Sequence, residues 1–331
     1  MENNVENLFT ELTKNNAKSG LLQNSRNNQI NNCLVAYEDL EQKYRDIIVE
    51  SSVKQAEEFM RIIDVPEMII YGGALYKNCL RSDLSIDDYD VALFGPEENK
   101  QKVVEVIENL KSKGWDVSEG KLDYLNENYY YYMVDPNGVK YDFGYKKKVV
   151  TTLTLENLVI KLEKDAKGNI KRYVEDIKVL DDFINGKIEV NNSRTPNKYE
   201  LIQRVLLTSA KYSDKIKLTN NQDIIHFSNT RANEPDEIDE NGINITSKKR
   251  EVCLDKLYGL LAKIKMENKE NFVLDILKTN AISSYFPELN EVLANPESRK
   301  KILSFNNKKL LREYTESLIK SNQQEKSATR Y

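Results

Sequence analysis

The chain has 331 residues, of which 40% are hydrophobic and 31% charged, and carries a net charge of −4. That length suits two or three modest domains. The charge balance excludes a strongly basic, non-specific DNA binder, and no apolar run approaches the ~20 residues needed to cross a bilayer. One histidine and three widely spaced cysteines (Cys33, Cys79, Cys253) argue against a disulfide framework, a zinc site or a histidine-based triad. Carboxylates, Lys, Arg and Tyr are left to carry any chemistry.

Residues 1–32 are polar and Asn-rich, lack the basic-then-apolar layout of a secretory leader, and read as a disordered extension of a cytoplasmic protein. A helical pattern is expected from Leu34 to Ile63, ended by Val65-Pro66. Met68 to Tyr71 reads as a short buried strand, broken by Gly72-Gly73 and followed by a helix from Ala74 to about Leu80. Tyr89 to Phe94 is a second strand, and Lys102 to Lys113 an amphipathic helix with Gly114 as its C-terminal stop. Trp115 to Leu122, Asn128 to Val134 and Val139 to Tyr145 read as further strands, the last two joined by an Asp135-Pro136-Asn137-Gly138 hairpin turn. Beyond about Val150 the pattern turns mostly helical, with helices at Tyr199–Tyr212, Arg250–Ile264 and Lys269–Lys278. An acidic, turn-rich loop spans 229–242, and the polar tail from Ser321 reads as frayed. The layout is α+β: a small mixed α/β head with its leading helix over 33–150, a neck over 151–228, and a helical body and tail over 229–331.

The informative stretch is Tyr71-Gly72-Gly73-Ala74-Leu75, followed by Ile86-Asp87-Asp88-Tyr89-Asp90. A strand that ends in two glycines and enters a helix lets backbone N–H groups approach a phosphate, with the helix dipole in support. Side chains alternate along a strand, so Asp88 and Asp90 share a face. Two adjacent carboxylates repel unless a cation sits between them, and Mg²⁺ favours such oxygen ligands. Two such ions roughly 3.5–4 Å apart activate a hydroxyl and stabilise a leaving pyrophosphate. Asp142, between Tyr141 and Phe143 on a predicted strand, is the candidate third ligand, because a charge among aromatics is costly without a partner. Taken singly, a DxD is most often a cap or loop, GG a turn, and Asp142 a solvent-facing residue; the conjunction points to the chemistry.

In these residues the chain resembles the class II CCA-adding enzymes and bacterial poly(A) polymerases, within the DNA-polymerase-β-like nucleotidyltransferases, over about residues 68–290. Gly72-Gly73 and Asp88-x-Asp90 match the family's GG and DxD signatures, and Asp142 its third carboxylate. Leu153-Thr154-Leu155 is similar to its aromatic-Thr-Ile segment, and Tyr285-Phe286-Pro287-Glu288-Leu289 to its Phe-Pro-Glu-Leu segment. Glu200 to Lys211 resembles the neck helix, with Arg204 in register with one of its arginines. The resemblance implies a polymerase-β-like head that adds nucleotides from NTP (ATP or CTP) to the 3′ end of RNA, tRNA included. It implies two Mg²⁺ ions on Asp88, Asp90 and Asp142, a triphosphate cradled by Gly72 and Gly73, and Arg204 as a nucleotide contact; Lys77 and Arg81, which the family's pattern does not supply, are this chain's own candidates to meet the triphosphate.

The chain also departs from that family. Leu75-Tyr76-Lys77 stands where the family has Val-Arg-Asp, Val150-Thr151-Thr152 where it has Arg-Arg-Asp, and the neck's Glu-Asp-x-x-Arg is absent. The choice of NTP therefore stays open. So do two alternatives: an inactive RNA-binding or assembly protein on the same fold, and a nucleotidyltransferase acting on a protein or small-molecule acceptor. Lys146, Lys147 and Lys148 are expected at the cleft rim, either on an RNA backbone or as a solvated loop. Arg299-Lys300-Lys301 with Lys308-Lys309 forms a second basic cluster. Tyr129 to Tyr132 offers either stacking surfaces for bases or sheet packing. His226 is expected to be structural and Trp115 to lie in the core.

Overall fold

The structure is a computed structural model that describes residues 34–76, 88–119, 129–146, 149, 151–191, 196–212, 215–264 and 266–328. The N-terminal extension, Cys33, Cys79 and most of the helix expected after Gly73 lie outside the described residues. Those residues form a mixed α/β protein with eight strands and eleven α-helices. The strands are β1 (Leu34–Ala36), β2 (Glu67–Tyr71), β3 (Tyr89–Phe94), β4 (Asp116–Glu119), β5 (Tyr129–Val134), β6 (Lys140–Lys146), β7 (Val159–Lys164) and β8 (Ile170–Glu175). They make one sheet in the order β1-β8-β7-β2-β3-β6-β5-β4. Every described pairing is antiparallel except β3 with β6, which is parallel.

One face of the sheet is apolar and covered. Helix α2 (Glu50–Ile63) follows a single turn, α1 (Gln42–Arg45). Val53, Ala56, Phe59, Met60 and Ile63 recur along α2 at helical spacing and are all buried. Phe59 stacks on Tyr141 at 4.7 Å and meets Phe143 and Trp115 edge-on or tilted. Helix α3 (Glu98–Ser112) buries Val103, Val106, Ile107 and Leu110 beside it, and Gly114 ends it at a φ of 83°. Arg172 on β8 clamps α2 to the sheet, donating to Glu57 at 2.6 Å and to Glu50 at 2.8 Å.

The same hairpin turn recurs at Asp135, Asp165 and Asp239. In each, the Asp Oδ1 accepts from the backbone N–H groups two and four residues on. A glycine in the left-handed region completes each turn.

Past the sheet the chain is helical: α4 (Lys178–Ile184), α5 (Lys198–Lys211), α6 (Gln222–Arg231), α7 (Ile245–Lys263), α8 (Met266–Thr279), α9 (Pro287–Ala294), α10 (Pro296–Leu303) and α11 (Lys308–Ala328). Asn197, Asn244 and Asn295 cap α5, α7 and α10 through their side chains. The core of the sheet layer is continuous with that of the helices.

Four expectations are corrected. Leu34–Ile63 is not one helix, because β1, a 3-10 turn and α1 precede α2. The sheet does not stop near Val150, because β7 and β8 add a hairpin against β2. The tail does not fray at Ser321, since α11 runs to Ala328. His226 is exposed on α6, with no structural burial. Trp115 is buried, as expected.

The clamp is testable. Arg172→Ala leaves the buried Glu57 carboxylate without its main cation and should cost about 3 kcal/mol in urea unfolding. Arg61→Ala removes an exposed cation 3.7 Å from the same carboxylate and should cost less than about 1 kcal/mol. Equal losses would show that burial of the pair is not what holds α2 down.

Candidate active site

The opposite face of the sheet carries the acids, in rows fixed by strand register. The first row crosses β2, β3, β6 and β5 as Tyr71, Asp90, Asp142 and Tyr132. The second runs Ile69, Ala92, Gly144 and Tyr130. Phe94 and Lys146 form a third. Cross-strand partners share a face, so the parallel β3–β6 pairing sets the Asp90 and Asp142 carboxyls side by side. Asp88 precedes β3 and is exposed.

Gly72 closes β2 with φ 83° and ψ −157°, a conformation that suits glycine alone. A Cβ there would stand 2.7 Å from Asp90 Oδ2, so the carboxylate is seated against the glycine backbone. The Gly72 N–H donates to Leu158 O at 3.2 Å, tying the turn to the segment before β7. Gly73 opens a single 3-10 turn, Gly73–Leu75, in the described part of the expected helix.

The electrostatics join the three acids. Burial, then Asp88 and Asp142, pushes the Asp90 carboxyl up to about 7, with Lys146 and Lys211 pulling it down. Burial, then Asp88, raises Asp142 to about 6. In both, loss of water is the larger cost and repulsion from a neighbouring aspartate the smaller.

The small residues of the second row, Ala92 and Gly144, leave room above the sheet. Tyr71 and Tyr130 meet there through a hydrogen bond between their side chains. The Lys146 ammonium lies 4.3 Å from the Tyr71 ring and 5.0 Å from the Tyr130 ring. Lys146 was expected at the cleft rim; it is instead buried, as a counter-charge to Asp90.

Helix α5 brings the remaining cation. Lys211, in its last turn, is close enough to lower the Asp90 carboxyl. The Tyr212 hydroxyl faces Gly73, at 3.8 Å from where a Cβ would stand. Arg204 lies seven residues earlier, almost two full turns, and so on nearly the same stripe of the helix as Lys211. Its guanidinium is 3.4 Å from Glu156. Lys77, Arg81, Lys147 and Lys148 lie outside the described residues.

Sequence pattern alone did not single out Tyr71, Tyr130 by itself, Lys211 or Tyr212. Alternation placed Tyr130 on the Asp142 face, so that signal was present. Lys211 and Tyr212 carry no local pattern.

Among the described residues, no three His, Cys, Asp or Glu side chains are gathered tightly enough to hold a metal ion as they stand. The donor chemistry nonetheless fits a hard divalent cation. It consists of carboxylate oxygens alone, two of them in register on neighbouring strands and both raised by burial first and by neighbouring aspartates second. Comparison of the chain with protein-family models and with curated proteins finds no match.

The raised carboxyls give a pH signature with a definite sign. Both bind protons more tightly in the folded chain than in the unfolded one, where an aspartate titrates near 3.9. Folding therefore takes up protons between about pH 4 and 7, and the stability present below pH 4 is lost as pH rises through 6 and 7. With divalent ions chelated, Asp90→Asn should raise the melting temperature at pH 8 by on the order of a few degrees. The gain should shrink steadily toward pH 4 in a series of thermal melts. A wild-type protein that melts no lower than the variant at pH 8 would contradict it.

Proposed function

We propose that the chain is a template-independent RNA nucleotidyltransferase with a polymerase-β-like head, transferring nucleotides from NTP to an RNA 3′ end. One observation carries this reading: Asp90 and Asp142 stand in register on a parallel strand pair, with Asp90 seated on the glycine turn that ends β2. In the reaction, a 3′-hydroxyl oxygen bonds to the α-phosphorus of the NTP while the bond to the pyrophosphate oxygen breaks.

Asp88, Asp90 and Asp142 would hold two Mg²⁺ ions, which lower the pKa of the attacking hydroxyl and stabilise the leaving pyrophosphate. The missing Cβ of Gly72 makes room for the Asp90 carboxylate, and the open backbone of Gly73 beside it would take the triphosphate. Lys211 offers a cation from the far wall, and Tyr212 a hydroxyl above Gly73. Tyr71, buried, and Tyr130, half-buried, would screen the inner side of Asp90 from water. Arg204 would serve as a nucleotide contact by releasing Glu156.

The alternative, an RNA-binding or assembly protein on the same fold without turnover, is favoured by one observation: Lys146 already supplies a buried positive charge near Asp90. Calorimetry of NTP binding with and without Mg²⁺ separates the two.

Labelled NTP incubated with single-stranded RNA should yield extended product, and Asp90→Asn or Asp142→Asn should reduce the rate by about 10³-fold or more, as expected for loss of groups acting as a unit. With NTP present, Mg²⁺ or Mn²⁺ should raise the melting temperature of the wild type and not of either variant. Unchanged extension in the variants would refute the assignment.

A further inference from the structure

Beyond the acids, the first row of this face ends in a large aromatic side chain that the proposed chemistry leaves unused. Tyr132 pairs with Asp142 across β5 and β6, and with Ser118 across β4 and β5. It is 49% exposed, unlike Tyr130, which is turned into the Tyr71–Lys146 cluster. Among the described residues, the Tyr132 ring stacks on no other ring and carries no cation. Its outer neighbour, Ser118, is small and does not cover it. Burying alternate tyrosines is ordinary sheet packing. Half-exposing one beside a desolvated carboxylate costs apolar contact, and packing gives no account of it.

Strand order then sets out the site as a line. The glycine turn stands on β2, the two carboxylates on β3 and β6, and Tyr132 on β5. Adjacent strands lie about 4.8 Å apart, so the ring stands one strand from Asp142 and about 10 Å from Asp90. Whatever stacks on Tyr132 lies on the side of the acids away from the triphosphate cradle. That is the side from which an attacking hydroxyl arrives.

We propose that Tyr132 is the stacking platform for the 3′-terminal base of a single-stranded RNA acceptor, and so selects a nucleobase-bearing end over a peptide or aliphatic hydroxyl. The proposal rests on the nucleotidyltransferase reading and names its acceptor side. A base on the ring places its own ribose, one ring away, beside Asp142. Stacking is tolerant of sequence, because every base presents a π-face, so the platform favours a nucleic-acid end without choosing the base.

The test separates the platform from the chemistry. A short oligoribonucleotide with 2-aminopurine at its 3′ end is titrated with the full-length protein, without NTP, and stacking is read as fluorescence quenching. Wild type and Tyr132→Phe should quench the probe alike, while Tyr132→Ala should weaken binding about 10-fold. An oligonucleotide of the same sequence with an abasic 3′ end and a 5′-fluorescein label, followed by anisotropy, should bind wild type and Tyr132→Ala equally. In extension assays Tyr132→Ala should raise the KM for acceptor and leave the KM for NTP unchanged. Equal quenching by wild type and Tyr132→Ala overturns the proposal. So does tight binding of the base-less oligonucleotide by wild type, or labelling of a hydroxyl peptide in preference to RNA. If the probe stacks as expected but no NTP is incorporated, the platform stands and the catalytic reading falls.

Discussion

The structure turns on one pairing: two parallel strands that bring a pair of aspartates into register where neither is fully solvated. Asp90 meets Asp142 across β3 and β6, with the glycine turn on one side and Asp88 ahead of both. Like charges in such a place push each other's proton affinity up, and burial adds the larger share. A site of this kind lowers the stability of the fold at neutral pH, so the rest of the fold has to hold it in place.

That support comes from beneath. The residues alternating with the acids, Tyr89 and Val91 on β3 and Tyr141 and Phe143 on β6, belong to the apolar core or pack against it. Phe59 of α2 packs on both Tyr141 and Phe143, and Arg172 fixes α2 through two carboxylates. The β3 and β6 backbones are thereby held from one face while their aspartates are crowded together on the other. Gly144 and Ala92 matter for the opposite reason. Lacking bulk, they admit Tyr71, Tyr130 and the Lys146 ammonium to a space that large side chains would fill, and a positive charge reaches the acids through it.

Much of this was legible in the sequence where a local pattern encodes it. The β3 boundaries and the Asp135 hairpin follow from alternation and turn chemistry, and the structure reproduces them. The β7–β8 hairpin uses the same turn at Asp165, within a stretch whose apolar period reads as mostly helical. Leu34 to Ile63 carries enough apolar residues to satisfy a helical period throughout. Its β-branched run Ile47-Ile48-Val49 nonetheless bridges to Tyr76 and separates α1 from α2. The tail past Ser321 is polar, yet its Gln, Glu, Lys and Ala are good helix formers and extend α11. What no pattern encodes is that β3 and β6 are neighbours at all. The chain reaches β6 only after α3 and the β4–β5 pair, so the meeting of Asp90 with Asp142 is a property of topology. Lys211 and Tyr212 arrive by the same kind of long-range route, and Lys146 reads as a surface lysine until the glycine two residues before it is placed.

The charge of the site constrains how it would be filled. Three aspartates stand with two lysines, Lys146 and Lys211, so the fully ionised set is short by one positive charge, and the lysines offset Asp90 only in part. One divalent ion would overcompensate the set, and two would leave it strongly positive, with Lys146 held by the Tyr71 and Tyr130 rings and poorly placed to withdraw. A triphosphate carries close to the charge of two divalent ions and would restore the balance. In the proposed reaction, then, metal and nucleotide would each bind weakly alone and tightly together, because each cancels the charge the other brings. That coupling follows from Lys146 and Lys211 being where they are. A site with no resident cations would instead take up its first metal ion readily and without nucleotide.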